Sequence, residues 1–357
     1  MSDVSVAFVG TGADPETPSV DGFAMAYQHA DAYERLDDCR LTGCADIVRE
    51  NAEAFAETYD IPDGGVFEDY EQMLAAVEPD IVSVCTPPST HAELVVGCAK
   101  SGVVDAIHCE KPMALTWGGA RRMAQECERR GVQLTFNHMR RFGQPFREAK
   151  ELLDDGVIGT LQRVEYSWGN FYDNGTHAVD MCNYFNDERP AAWVIGQLDY
   201  HEEDVRFGTH NENQVFACWE YDNGVHGIAA TGPAETMNES DWRLVGSEGF
   251  IDVHLTDELA VRVRSLDPDA CEDRTYESLT TGGSAIDHAI ADVVDALKSG
   301  RTSELCAANA LNATEIIFGG YESVRRRGRV DLPLTIDDNP LEAMVDDGTL
   351  SPAPSDD

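Results

Sequence analysis

Lysine is nearly absent from this chain. There are four in 357 residues: Lys100, Lys111, Lys150 and Lys298. Basic residues of both kinds number 26 against 66 acidic ones, a formal net charge of −40. So negative a chain repels nucleic acid and anionic membrane surfaces, which excludes both as partners. The ten cysteines never fall at C-x-x-C spacing. That excludes the zinc-knuckle and thioredoxin patterns, and no metal site is expected. No apolar run reaches transmembrane length and no stretch reads as a signal peptide, so a cytoplasmic, reduced protein is expected.

The acids are spread through amphipathic segments rather than gathered in one block. Only "DDNPLEAMVDDGTLSPAPSDD" reads as a weakly ordered acidic tail, assigned to 341–357. Dispersed acid with Arg far above Lys resembles the composition of proteins from salt-loving organisms. At molar salt the Debye length is about 3 Å, so the self-repulsion is largely screened.

Up to residue 137 the pattern alternates strand and helix. "VSVAFVG", "CRLTGCAD", "DIVSVCTP", "VVDAIHCEKP" and "VQLTFNHM" are strand-like. "MAYQHADAYERL", "RENAEAFAETYD", "HAELVVGCAKSG" and "WGGARRMAQECERRG" are helical. Such alternation predicts a doubly wound parallel sheet, an α/β Rossmann domain over 1–137. Beyond it come the helix "PFREAKELLDDG" and longer strand runs such as "TLQRVEYSWGNFY" and "QVFACWEYDNGVHGIAAT", whose Asn-Gly is a hairpin signal. Residues 138–340 are therefore expected to form an α+β domain, an open, mainly antiparallel sheet covered by helices on one face.

Lys100 and Lys298 precede Ser-Gly at helix ends, where a cation suits the macrodipole, and Lys150 reads as a helix-surface charge. Lys111 follows an apolar strand and precedes a proline. The first strand ends in Gly10-Thr11-Gly12, a dinucleotide-type turn, with Ala26 as a late stand-in for the third glycine after a loop of about a dozen residues. Asp46 ends the second strand, where a carboxylate accepts hydrogen bonds from the adenosine ribose. An acid there repels a 2′-phosphate, which favours NAD. Arg49, three residues on, keeps NADP open.

Four matches give a resemblance to the Gfo/Idh/MocA oxidoreductases: the G-x-G opening leading to "HADAY", "CTPPSTHAEL", "CEKP", and "DNGTHAVD" with its D-x-x-x-H-x-x-D spacing. The long loop after Gly12 departs from the compact family loop. The resemblance implies that Lys111 points from the carboxyl edge of the sheet toward substrate, where a long cationic arm stabilises a developing alkoxide. It also implies a cis bond before Pro112, Thr86 and Pro87 along the cofactor, and Glu110 facing the nicotinamide ribose. His91 is placed in the same cofactor set, although packing at a helix start suits it better than chemistry does.

Asp173 and His177 stand four apart, with Thr176 a candidate N-cap. His177 suits proton abstraction from a hydroxyl, and Asp173 suits a hydrogen bond to substrate or to that imidazole. Asp180 lies one turn further. Arg141, in "MRRF", is either structural or substrate-facing, while Trp168 and Tyr172 read as sheet-packing residues. His201, His210, His226, His254 and His288 lack metal-ligand spacing and read as surface or turn residues.

The expectation is an NAD(P)-dependent dehydrogenase of a sugar, sugar acid or cyclitol. The alternatives are a relative that uses NAD transiently, in elimination or glycoside cleavage, and a non-catalytic NAD(P) sensor. A homodimer or homotetramer is expected, because relatives pair the open sheet face with another subunit.

Overall fold

The computed structural model describes residues 3–15, 24–256, 260–275 and 284–354. Most of the loop expected after Gly12 therefore lies outside the described residues. The chain divides into two compact units. One comprises Met1–Leu115, Gly119–Met139 and Ala285–Ala310; the other Thr116–Gly118, Arg140–Ser284 and Leu311–Asp357.

In the first unit, short apolar runs make six strands: β1 (Val4–Val9), β2 (Cys39–Ala45), β3 (Val66–Phe67), β4 (Ile81–Val84), β5 (Ala106–Cys109) and β6 (Gln133–Phe136). All pair in parallel, in the order β3-β2-β1-β4-β5-β6. Between them run α1 (Met25–Glu34), α2 (Arg49–Thr58), α3 (Tyr70–Val77), α4 (Pro88–Ser101) and α5 (Trp117–Arg130). An aromatic cluster seals the helices on β1: Phe8 lies 4.9 Å from Phe55 and 6.1 Å from Tyr33, ring centre to ring centre. The strand order reverses between β1 and β4, and in open α/β sheets ligands bind beyond the carboxyl ends of the strands at such a reversal.

The second unit opens with α6 (Gln144–Asp154), β7 (Leu161–Tyr166) and α7 (Gly175–Phe185). Its other strands are β8 (Ala191–Asp199), β9 (Val205–Arg206), β10 (Thr209–His210), β11 (Gln214–Tyr221), β12 (His226–Ala230), β13 (Trp242–Gly246), β14 (Gly249–Val253), β15 (Val261–Ser265), β16 (Glu272–Arg274) and β17 (Val330–Asp331). Nine of them form one sheet, β16-β15-β14-β13-β7-β12-β11-β8-β17, antiparallel except for the β12–β7 pair. The Asn-Gly turn joins β11 to β12 as expected. Helix α7 packs against β7, and Trp242 Nε1 on the neighbouring β13 donates to the Ala178 carbonyl of α7 at 3.2 Å. On β11, Val215, Ala217, Trp219 and Tyr221 are buried on the helix side, while Phe216 is 42 % exposed on the other.

Three sequence expectations need correction. The run through "SWGNFY" is not strand beyond Tyr166: Ser167 N makes a last bond to the Asp241 carbonyl, then Gly169 turns the chain at φ 65°. Trp168 and Tyr172 therefore lie in the loop leading to α7. The second domain does not run unbroken over 138–340, because α8 (Ala285–Ser299) packs on α1 and belongs to the first unit. Nor are residues 341–354 of the expected 341–357 tail loose. After α9 (Ala307–Arg326), helix α10 (Pro340–Asp346) buries Leu341 and Met344, and Ala353 N donates to the His201 carbonyl at 2.7 Å. A well-placed Asn339 cap and two apolar anchors outweigh the acidic composition.

Candidate active site

Beyond β1 the chain turns at Gly10 (φ 81°) and Gly12 (φ 68°), a backbone that side chains disfavour. A Cβ on Gly10 would stand 2.4 Å from Thr86 Cγ2, so the turn packs directly on the segment after β4. A Cβ on Gly12 would meet nothing within 4 Å among the described residues, which suits close backbone approach of a pyrophosphate. Asp46 closes this cradle. Its Oδ2 accepts from Thr11 N (2.9 Å), Gly12 N (3.0 Å) and Thr11 Oγ1 (3.2 Å), while among the described residues Oδ1 accepts only from Val48 N (2.9 Å). Oδ1 thus keeps acceptor capacity for a ribose hydroxyl, and the residues fit a dinucleotide. Arg49 is exposed on α2 and pairs with Glu53 at 2.7 Å and with Glu68 at 3.9 Å. Two carboxylates lie beside that guanidinium, although among the described residues only its Nε is hydrogen-bonded, to Glu53.

His91 does not reach outward. It is fully buried, with Nε2 2.7 Å from the Thr86 carbonyl and Nδ1 3.0 Å from that of Pro112, and burial pushes its pKa down. It fastens the Thr86–Pro87 loop to the Lys111–Pro112 turn, whose peptide is cis. That makes it a positioning residue rather than a cofactor ligand.

Glu110 is likewise turned inward. Its Oε1 accepts from Asn137 Nδ2 (2.7 Å) and lies 2.9 Å from His29 Nε2; its Oε2 accepts from the Lys111 amide (3.1 Å). Burial raises its pKa and His29 and Asn137 lower it, leaving it about 2. For His29 burial opposes the charge, but the Cys85 thiol and Glu110 push its pKa up to about 10. Glu110 thus stands in a buried ion pair with His29 and also grips the Lys111 backbone. His29 was missed in the sequence; its one signal was its place in "HADAY", four residues after the helix starts.

In the second unit the helical winding begins before α7 itself. Thr176 N donates to the Tyr172 carbonyl (3.0 Å) and Ala178 N to that of Asn174 (3.2 Å). Asp173 and His177, four apart on this turn, share a face, and each is more than nine-tenths buried. Thr176 is inside the helix and not its cap; the cap position is Asn174, without a side-chain capping bond. Asp180, one turn on, makes a two-pronged pair with Arg141: Nε to Oδ2 at 2.7 Å and an η nitrogen to Oδ1 at 2.6 Å. Glu188 takes the other η nitrogen at 2.6 Å. Burial would lower the Arg141 pKa, but the two carboxylates hold it above the usual arginine range. Arg141 is thus structural, and the substrate-facing alternative is withdrawn.

Its neighbour Arg140 was overlooked. Its guanidinium carbon stands 4.4 Å from the Trp168 ring centre. Its buried Nε lacks a hydrogen-bond partner among the described residues, and burial pushes its pKa down to about 10. Trp168 leans on Trp242 (5.8 Å), which itself bonds α7. A desolvated cation of this kind suits an oxygen-rich or anionic ligand.

A Rossmann sheet with a glycine turn, a strand-end aspartate and a strand-end lysine defines a dinucleotide-binding oxidoreductase. The chain belongs to the Gfo/Idh/MocA oxidoreductase family: residues 5–138 match its NAD-binding Rossmann fold and residues 162–332 its C-terminal alpha/beta domain. It is 28% identical over 175 residues to the myo-inositol 2-dehydrogenase of Thermotoga maritima, covering 45% of this chain and 51% of the relative. The match thus spans about half the length of that curated relative. With the inositol 2-dehydrogenase of Rhizobium meliloti it shares 28% identity over 256 residues, 62% of this chain and 76% of the relative. The aldose-aldose oxidoreductase structure from Caulobacter crescentus superposes with a TM-score of 0.75 at 20% identity, covering 92% of this chain and 100% of that one.

Proposed function

We propose that this protein oxidises a secondary hydroxyl of a sugar, sugar acid or cyclitol with NAD. The observation that carries this reading is the Asp173–His177 pair on one face of the turn that opens α7, a helix anchored one turn further on by the Asp180–Arg141 pair. The dehydrogenases of inositol among the relatives support the substrate class. When bound, the nicotinamide would supply the hydride acceptor. His177 takes the hydroxyl proton, with Asp173 holding substrate or imidazole in place. Lys111 stabilises the oxygen as charge builds on it. Arg140, over Trp168, binds an oxygen of the same substrate. Asp46, with Arg49 beside two glutamates, favours NAD over NADP.

The acidic surface suits work at high salt in the cytoplasm. A second copy of the chain covers the open sheet face bearing Ile195 (45 % exposed) and Phe216 (42 % exposed). The test is a panel of aldoses, uronic and aldonic acids and inositols, deuterated at the reacting carbon, offered with NAD or NADP in molar KCl. Deuterium appearing at nicotinamide C4 supports the proposal. Consumption of substrate without net cofactor reduction would replace it with internal recycling, and cofactor binding with no consumption with a sensor.

A further inference from the structure

Two backbone amides of the segment that carries Asp173 are tied to side chains rather than to backbone. The amides of Phe171 and Asn174 are held by side chains: Phe171 N donates to Glu212 Oε1 (2.6 Å) and Asn174 N to Asn170 Oδ1 (2.7 Å). Asn170 Nδ2 in turn donates to Asn211 Oδ1 (3.2 Å), and the Tyr321 hydroxyl from α9 donates to Glu212 Oε2. Asn211 and Glu212 are almost fully buried. These two consecutive residues therefore hold the start of the segment, at Asn170 and Phe171.

The two residues just before them are held from elsewhere. Thr209 Oγ1 and His210 N both donate to Glu342 Oε1 on α10, at 2.7 and 2.8 Å. His210 Nε2 stands 3.7 Å from Glu342 Oε2, and its Nδ1 shares a 2.6 Å hydrogen bond with the Tyr200 hydroxyl. Ala353 closes the same loop from the other side, accepting from Glu203 N at 2.8 Å. Helix α10 and residue 353 lie outside the match to the family's C-terminal domain, which ends at 332.

We propose that Glu342 is a positioning residue for the 170–177 segment, acting through residues 209–212, so that the C-terminal extension sets how tightly this chain grips its substrate. The proposal rests on the reading of Asp173 and His177 as substrate-facing. Two side-chain acceptors in series, Glu342 and then Glu212, link α10 to the Phe171 amide across four residues of chain. Freeing the first lets the β9–β10 hairpin lift, and the second moves with it. The effect falls on substrate affinity, because the stretch that moves, 170–174, carries Asp173, while His177 stays on α7.

The test uses the full chain carrying Glu342→Ala or Glu342→Gln; the glutamine retains a carbonyl oxygen for Thr209 and His210. Amide hydrogen exchange is followed in peptides covering 167–177 and 200–213, alongside NAD binding and, with the substrate found above, KM and kcat. For Glu342→Ala both peptides are expected to exchange about tenfold faster, a sub-global opening. KM should rise about tenfold with kcat within about threefold of the parent, NAD binding unchanged, and Glu342→Gln restoring every value. Faster exchange confined to 200–213, with 167–177 as in the parent, overturns the proposal. So does an unchanged KM in the alanine variant. If the parent chain turns over no substrate, the functional reading fails by itself, while the exchange in 167–177 still decides the coupling.

Discussion

Replacing Glu110 with glutamine removes the counter-charge of a buried imidazolium. With the His29 pKa at about 10, the charged ring is favoured at pH 7 by about three pH units, or about 4 kcal/mol. His29 has a raised pKa, so this stability is complete below its ordinary value of 6.5 and is lost as pH climbs toward 10. Glu110, lowered from 4.5 to about 2, contributes above pH 4.5 and loses its share as pH falls toward 2. Glu110→Gln is therefore expected to remove the share of this stability that Glu110 supplies beside Cys85, largest near pH 7, less at pH 9, and almost nothing near pH 10. Thermal melts across that range give the energies, and histidine NMR shows His29 becoming neutral at pH 7. Cys85→Ser keeps a hydrogen-bonding neighbour while removing the thiol, and so separates the other contribution to the His29 shift. A loss below about 1 kcal/mol at pH 7, or one that stays constant from pH 6 to 10, would refute the ion pair.

Other consequences follow from the second unit. Arg141→Ala strands Asp180 in the interior and is expected to destabilise by about 3–5 kcal/mol in denaturant melts; a neutral result would mean that Asp180 is solvated. Burial raises the Glu212 pKa, against the Tyr321 hydroxyl and the Phe171 amide, to about 7. The unfolded chain thus ionises first, and stability falls between pH 4.5 and 7 by about 3 kcal/mol. Glu212→Gln should flatten that slope in melts at pH 5 and pH 8. Phe216→Glu is expected to convert an oligomer to monomers in light scattering; a parent chain already monomeric would remove the basis for covering the open face. Arg140→Leu should raise KM about tenfold or more if its guanidinium meets substrate, and an unchanged KM would assign it to packing on Trp168.

Much of the scaffold was legible in the residues. The strand–helix alternation up to Phe136 gave the parallel sheet, because buried parallel strands need continuous apolar runs and their helices need a stripe. "YDNG" gave the β11–β12 hairpin for an equally local reason. What escaped the sequence was long-range pairing. His29 and Glu110 are 81 residues apart, and nothing local says that one neutralises the other. Arg140 and Arg141 are adjacent and alike in sequence. Only the placement of Asp180 and Glu188 decides which is structural and which is open to a ligand. The C-terminal segment was misread because acidic composition outweighed two apolar residues, Leu341 and Met344, whose burial depends on a surface supplied by other parts of the unit.

The central claim, that Lys111 assists transfer of hydride from a substrate hydroxyl, is tested most directly by absorbance at 340 nm. NAD-loaded parent protein and Lys111→Ala are mixed with substrate in molar KCl, with NAD binding measured in parallel. The account predicts steady NADH growth in the parent and a loss of about 100-fold or more in the variant at unchanged NAD affinity. Equal NADH growth in the two proteins would contradict it.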